Sequence, residues 1–442
     1  MRDLFLAPLL LAILVQTFRS PSAGILGWTW LTLMTPQKLI WGFLSSMPLN
    51  LILALATLPM VMQARDKKKL PLNSVVFLWA LFFVTVTITT ISSMSPSFSW
   101  PIWDRTWKIM LLGLLVPMLM TTPRRLQALV WVMVISLGFF GVKGGMFTLL
   151  TGSGNHVLGP EGTGLNDNNY LALALCLTLP LMNYLQLQAN HRLVRMALLL
   201  SMVTTAFAVL GTYSRGGFIG LTVMASYLWW KSPRRLALAI GAIVVIVPAY
   251  LIMPAAWFER MDTLKDASNQ GTFLTRYDAW KVGWNIAVKR PLIGGGFNAS
   301  QDSDVYRDFS YGKSYYLDPA TGETGGHAAH SIYFEVLGDH GFVGFGIYFS
   351  MLLSTFAMLR RVRKSARAIP ALAWVAELAT MIQVSFLAFC VAGAALSMAY
   401  YDFVFLFIGI ALALDRMVQE FKANRGEPAR SSAAIPATSG KC

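Results

Sequence analysis

Apolar stretches of about twenty residues recur along the whole chain, separated by short loops in which basic residues gather. A bilayer core about 30 Å thick takes roughly 20 apolar residues per helix, so the pattern predicts an all-α integral membrane protein. A transmembrane barrel would show short alternating segments instead. Six basic clusters punctuate the runs: Arg65 with Lys67, Lys68 and Lys69; Arg124 with Arg125; Arg192 with Arg195; Lys231 with Arg234 and Arg235; Arg360 through Arg367; and the tail from Arg416. Each interval between clusters has room for two spans. The pairs are 4–34 with 39–63, 72–92 with 105–121, 125–150 with 167–187, 193–212 with 215–230, 235–253 with 330–358, and 371–393 with 397–416. That predicts about twelve transmembrane helices, the first pair interrupted by Pro21, Pro36 and Pro48. The positive-inside rule puts the clusters and both termini in the cytoplasm.

Five outer loops follow, at 92–104, 151–166, 211–217, 254–329 and 393–402. The long one divides the chain. Residues 1–253 hold spans with short outer loops, 254–329 form a large periplasmic loop, 330–416 hold the closing spans, and 417–442 form a tail. From 425 onward the tail is rich in Ser, Ala and Pro and is expected to be disordered. Within the long loop, Phe273, Tyr277, Trp280, Trp284, Ala287 and Val288 recur at helical spacing. They predict an amphipathic helix on the headgroup region, stopped by Pro291 and the glycines 294–296.

Composition agrees with a membrane protein. The 442 residues are 55% hydrophobic and 13% charged, with mean hydropathy +0.56, against about 25% charged in soluble domains. The net charge of +15 would suggest nucleic acid in a soluble protein. Here topology accounts for it, and the expected partner is the phospholipid bilayer, with no nucleic acid. Cys176, Cys390 and Cys442 suggest neither a disulfide nor a metal site. The N-terminus loosely resembles a signal peptide, but further spans follow, so an uncleaved first helix is expected.

Candidate chemistry lies at one boundary. Gly326-His327-Ala328-Ala329-His330-Ser331-Ile332-Tyr333-Phe334-Glu335 brings two of the five histidines where the polar loop meets an apolar helix. On a helix His327 and His330 would share a face. They fit a general base, which titrates near neutral pH, a metal pair lacking a third ligand, or a cap. Glu335 is placed to orient His330, or to sit on a paired face. Arg215 lies in the tight turn Gly211-Thr212-Tyr213-Ser214-Arg215-Gly216-Gly217. It fits an anion clamp, because guanidinium meets phosphate in a bidentate way, and equally an interfacial anchor. Arg276 and Arg290 bracket the loop helix, and a cation at a helix C-terminus is favoured by the dipole alone. The triple glycine is no P-loop, since no Gly-Lys-Ser/Thr follows, and is expected to be a flexible turn. His156, Glu161 and Asp167 occupy the loop 151–166 and could bind a sugar.

Together these segments resemble the O-antigen ligase family of bacterial inner-membrane glycosyltransferases. The likeness rests on the turn at 211–217, Arg276 with Trp280, Arg290-Pro291-Leu292-Ile293-Gly294-Gly295-Gly296-Phe297, and His330-Ser331-Ile332-Tyr333-Phe334-Glu335-Val336-Leu337-Gly338-Asp339-His340-Gly341. The N-terminal part, including Val142 to Gly152, is similar to a subgroup described as exosortase-associated O-glycosylation ligases. The resemblance implies a metal-independent, GT-C-type glycosyltransferase fold without a cofactor. It implies a glycan donor on undecaprenyl diphosphate, a lipid A–core oligosaccharide acceptor, and an active site on the periplasmic side of the inner membrane. It implies His330, Arg215 and Arg290 as catalytic residues, with Arg276 at a further matching position; beside them His327, Tyr213 and Glu335, with Arg276, are expected to bind substrate. Family members often carry Asn after the histidine, where this chain has Ser331.

The expected mechanism is proton removal from the acceptor hydroxyl by His330, worth roughly 10²–10⁴ in rate. Arginines would stabilise the departing diphosphate, each by about 2–4 kcal/mol. O-antigen polymerases and protein O-glycosylation ligases share this chemistry and differ in acceptor. A transporter would place ionisable groups near the bilayer midplane, for which Lys143 and Asp402 are the candidates.

Overall fold

The computed structural model describes residues 2–152, 154–231, 235–262, 271–311 and 325–425. Proline and cap residues set the first boundaries. α1 (Arg2–Arg19) ends at an extended Ser20, and Pro21 opens α2 (Pro21–Met34), where its missing N–H costs nothing. The expected span 39–63 is shorter: 3₁₀ turns fill 36–46, and α3 is Leu49–Gln63. Asn73 accepts from Val76 N to start α4 (Ser74–Ile91). α5 (Pro96–Leu119) begins well before residue 105, so most of the expected outer loop 92–104 is helix. Thr122 caps α6 (Pro123–Thr151), and Asp167 caps α7 (Asn168–Gln188). α8 (Arg192–Gly211), α9 (Arg215–Lys231) and α10 (Arg235–Ile252) follow. The long loop contains α11 (Ala255–Asp262), α12 (Gly271–Lys289) and α13 (Ser303–Ser310). α14 (Ile332–Arg367), α15 (Ala373–Gly393) and α16 (Asp402–Ala423) close the chain. α16 thus runs past residue 416 into the expected tail. Residues 426–442 lie outside the described part.

This is an all-helical, multi-pass membrane protein. Seven of the described helices are long and apolar enough to cross a membrane: α4, α6, α7, α8, α10, α14, and α15 with the turn before it. α1 and α3 contain shorter apolar helices. The centre is α7, α15 and α16, where Leu171 to Leu177 and Phe403 to Leu414 are almost wholly buried. α10 is peripheral, with 6% of its apolar window covered by protein.

Hydrogen bonds sort the helix ends into two groups. At one end Asn168 Nδ2 donates to Thr212 O, Arg290 Nη2 to Ser92 O, Ser95 Oγ to Asp302 and His330 N to Ser397 Oγ. At the other, Arg125 meets Asp66, Lys68 meets Glu420, and Gln188 donates to Glu377. The second end carries basic clusters, and the first carries His156, His327 and His330.

α14 is broken at Gly341, whose φ of 65° and ψ of −169° suit glycine alone. The break frees carbonyls of the preceding turn. Gly295 N donates to Gly338 O and Gly296 N to Asp339 O, both at 2.9 Å, while Phe342 N donates back to Pro291 O at 2.8 Å. Gly294 and Gly296 hold positive φ. The triple glycine is therefore a bonded joint rather than the expected flexible turn.

The amphipathic helix is also packed differently from expectation. Ala279, Val282 and Ile286 of α12 are buried with Val305, Tyr306 and Phe309 of α13. Tyr277, Trp284 and Val288 are exposed. Trp280 stacks on Phe334 at 5.1 Å and 7°, and a Cβ on Gly283 would lie 3.1 Å from Phe334 O. α12 is thus held against α14, with its small residues inward. Spacing marked the large aromatics as the apolar face, and small residues allow the closer approach of helices.

Candidate functional site

The turn between α8 and α9 is fixed from several sides. Tyr213 takes φ 59°. Ser214 Oγ accepts from Gly217 N and donates to Asn169 Oδ1 at 2.8 Å. A Cβ at Gly217 would meet Ala172 Cβ at 2.5 Å, so α9 starts hard against α7. Arg215 is the first residue of α9 and is half-buried. Tyr213 is buried, its ring 4.6 Å from that of His156. α11 docks on the same turn: Trp257 Nε1 donates to Leu210 O and Arg260 Nε to Tyr213 O, each at 3.0 Å. This brings in Arg260, a cation the motifs did not single out.

The histidines lie in the non-helical segment 325–330 rather than on a helix. Trp280 Nε1 donates to Ala329 O at 2.8 Å, His327 N to Ser300 O at 2.9 Å, and His330 N to Ser397 Oγ at 2.7 Å. His330 takes φ 46°, a strained conformation for a non-glycine residue held by those contacts. Its ring centroid lies 5.3 Å from that of His327. Three-apart spacing did bring the rings together, though through a bent loop. Among the described residues no group of three His, Cys, Asp or Glu side chains could hold a metal.

Electrostatics tie the segments together. Burial first, and then the charges of Arg215 and Arg260, lower the pKa of Arg276. Burial and then Arg276 lower that of His327. The His330 imidazole is pushed down to about 4 by burial, then by Arg276 and His327, with Asp167 opposing. Three guanidiniums within mutual reach, beside an imidazole that stays neutral at neutral pH, suit an anion next to a proton acceptor.

Two expected members stand elsewhere. Arg290 follows the last residue of α12, fourteen residues beyond Arg276, which is about 21 Å at 1.5 Å per residue. Its Nη2 donates to Ser92 O at 2.6 Å, beside the glycine joint. Glu335 turns away from His330, and its Oε2 accepts from Ala399 N at 2.9 Å. Of the loop 151–166, His156 packs on Tyr213, Glu161 is exposed, and the following Asp167 spends one carboxylate oxygen capping α7. Lys143 lies in α6, against a groove with Trp30 and Phe139.

Beside the histidine is a cavity of about 680 Å³. Ser397, which holds His330 N, and Glu335 both line it. So do Arg105 and Asp402, paired at 2.7 Å. None of Arg215, Arg260 and Arg276 does.

Residues 200–349 match the family model described as O-antigen ligase. That segment is similar to the O-antigen ligase family. Residues 1–192 match a family of unknown function (DUF5935), and no curated protein matches the chain. The O-antigen ligase segment contains Arg215, Arg260, Arg276, His327 and His330. The likeness supports, in the coarse sense, an enzyme of the glycosyltransferase-like ligase or polymerase kind. Arg105 lies in the N-terminal match, and Ser397 and Asp402 lie beyond both.

Proposed function

We propose that this protein is an O-antigen ligase of the bacterial inner membrane. It moves a glycan from undecaprenyl diphosphate to a hydroxyl of the lipid A–core oligosaccharide at the periplasmic face, in lipopolysaccharide biosynthesis. The observation that carries the reading is Arg276, coupled to Arg215 and Arg260 on one side and acting on the buried imidazole of His330 on the other. The acceptor oxygen attacks the anomeric carbon, and its proton passes to His330. The bond from that carbon to the phosphate oxygen breaks on the opposite face, so configuration inverts. Undecaprenyl diphosphate leaves with the bonding electron pair. Its growing charge falls to Arg215, Arg260 and Arg276, which act more strongly on the transition state than on the bound donor. Arg290 drops out of the clamp because its guanidinium is engaged at Ser92. His327 lies beside the base and Tyr213 under the arginine turn, as substrate-positioning groups.

The test is purified protein with labelled undecaprenyl-diphosphate glycan and three separate acceptors: lipid A–core, a second lipid-linked glycan, and protein. Transfer to lipid A–core, abolished in a folded His330→Ala variant, is expected. Transfer only to glycan or protein would make the enzyme a polymerase or a protein ligase. Near-normal transfer by His330→Ala would remove the imidazole as base.

A further inference from the structure

The link between α15 and α16, residues 394–401, has no regular structure, yet 396–401 are buried. Buried irregular backbone must take its hydrogen bonds from neighbouring groups. Here α14 supplies them. Glu335 Oε2 accepts from Ala399 N at 2.9 Å, and the Tyr348 hydroxyl donates to Ala399 O. Ala399 is thus held at both its N–H and its C=O. One residue on, the Tyr400 hydroxyl donates to Asp339 Oδ2 at 2.9 Å. The other oxygen of Asp339 accepts from Asn298 N, just past the glycine joint. Glu335, Asp339 and Tyr348 are all buried. On a straight helix Glu335 and Tyr348 would stand about 20 Å apart along the axis and on different faces. The break at Gly341 is what lets both reach one residue.

Two residues before Ala399 stands Ser397, whose Oγ accepts from His330 N at 2.7 Å. His330 has φ 46°, and a side-chain-bearing residue keeps such a conformation only where its surroundings over-determine it. We infer that Glu335 and Tyr348 are positioning residues for His330. They fix Ala399, the short turn from Ala399 fixes Ser397, and Ser397 holds the backbone that carries the imidazole. Glu335 therefore acts through the backbone and not on substrate. The link lies beyond both matched segments, so part of the frame around the histidine comes from outside them. Calling His330 the base rests on the proposed transfer; the frame itself rests on the hydrogen bonds.

The test uses the full chain in detergent and two readouts. One is transfer from a labelled lipid-linked glycan. The other is amide hydrogen exchange over residues 326–333, read by mass spectrometry. Ser397→Ala removes the acceptor for His330 N, and Glu335→Met removes the acceptor for Ala399 N. Both should lower kcat roughly 10- to 100-fold, as a misplaced reacting group does, with KM for the donor kept within about 3-fold. Both should also quicken exchange over 326–333 and leave that of α7 unchanged. Tyr348→Phe removes a single hydroxyl, guards against misfolding in the others, and should act in the same direction more weakly. Glu335→Gln keeps an oxygen for Ala399 N and should restore both readouts. Full activity in Ser397→Ala and Tyr348→Phe, or a Glu335→Gln as slow as Glu335→Met, would overturn the inference. So would a loss carried by KM alone, which would put these residues on substrate. If the unaltered protein transfers nothing, the proposed activity falls; exchange then decides the frame, which stands if Ser397→Ala and Glu335→Met quicken it and fails if they do not.

Discussion

Replacing Arg276 by Gln tests the site most sharply, because one substitution should move two separate observables. The guanidinium is mostly withdrawn from water and shares its surroundings with Arg215 and Arg260. If the three hold the leaving diphosphate, loss of one preorganised donor should cost about 2–4 kcal/mol, or roughly 10²–10³ in kcat. Arg276 is also the first of the charges that lower His330, after burial itself. A base works only when unprotonated, so kcat/KM falls as pH drops through its pKa in the free enzyme. In the unaltered protein that limb belongs near pH 4, leaving the profile flat through neutrality. Without Arg276 the imidazole binds its proton more readily. The limb should therefore move upward, toward the ordinary value of 6.5, yet stop short of it because burial persists. The assay is transfer from a labelled lipid-linked glycan between pH 4.5 and 8, with single-turnover rates to isolate chemistry. A slower enzyme with an unmoved acid limb would separate Arg276 from His330. A rate within 3-fold of the unaltered protein would remove Arg276 from the clamp.

Arg260→Ala should lower kcat by roughly 10- to 100-fold, somewhat less than Arg276→Gln, because Arg260 also braces the turn through Tyr213 O; steady-state kinetics on protein of unchanged melting temperature checks it. Arg290→Ala should instead lose about 1–3 kcal/mol of stability by orphaning Ser92 O, seen in thermal melts, with kcat/KM of the folded fraction kept within 3-fold. Gly341→Ala forces a Cβ to within 2.5 Å of Pro291 O at a backbone conformation suited to glycine. It should cost at least about 1–3 kcal/mol and lower the melting temperature; an unchanged melt would deny the kink its role.

Much of this was legible in the chain. Span positions followed from apolar runs and basic loops, since bilayer thickness fixes helix length. The grouping of Arg215, Arg276 and His330 followed from their place at one boundary, and their electrostatic coupling runs through Arg276. The contact of Arg290 with Ser92 O was not legible, because a cation after a helix reads the same whether it meets a ligand or a backbone carbonyl. The contact of Glu335 with Ala399 N was not legible either, because spacing says nothing of a partner 64 residues away. Arg260 was missed because it lies in a short helix whose docking depends on Trp257 and a carbonyl at Leu210, neither of which spacing reveals. The cavity was invisible for a deeper reason. Gln37 and Asn50, Arg105, and Tyr401 come from three distant parts of the chain, and each alone is an ordinary polar residue near a span end.

Packing residues explain how Arg276 and His330 keep their distance. Arg276 and His330 are separated by 53 intervening residues, part of them outside the described structure, so the intervening loop need not define their spacing. α12 and the start of α14 do so directly. Trp280 bonds Ala329 and stacks on Phe334, Gly283 lies against Gly338, and the glycine joint bonds Gly338 and Asp339. These contacts begin at Trp280 and bind the C-terminal half of α12, with the turn that follows it, to the broken helix. The kink at Gly341 supplies the carbonyls for the joint, and Arg290 ties the far end of α12 to the end of α4. A clamp arginine and a base must hold their geometry to within a fraction of an ångström to act together. In the proposed site that geometry is set by helix packing and backbone bonds between α12 and α14.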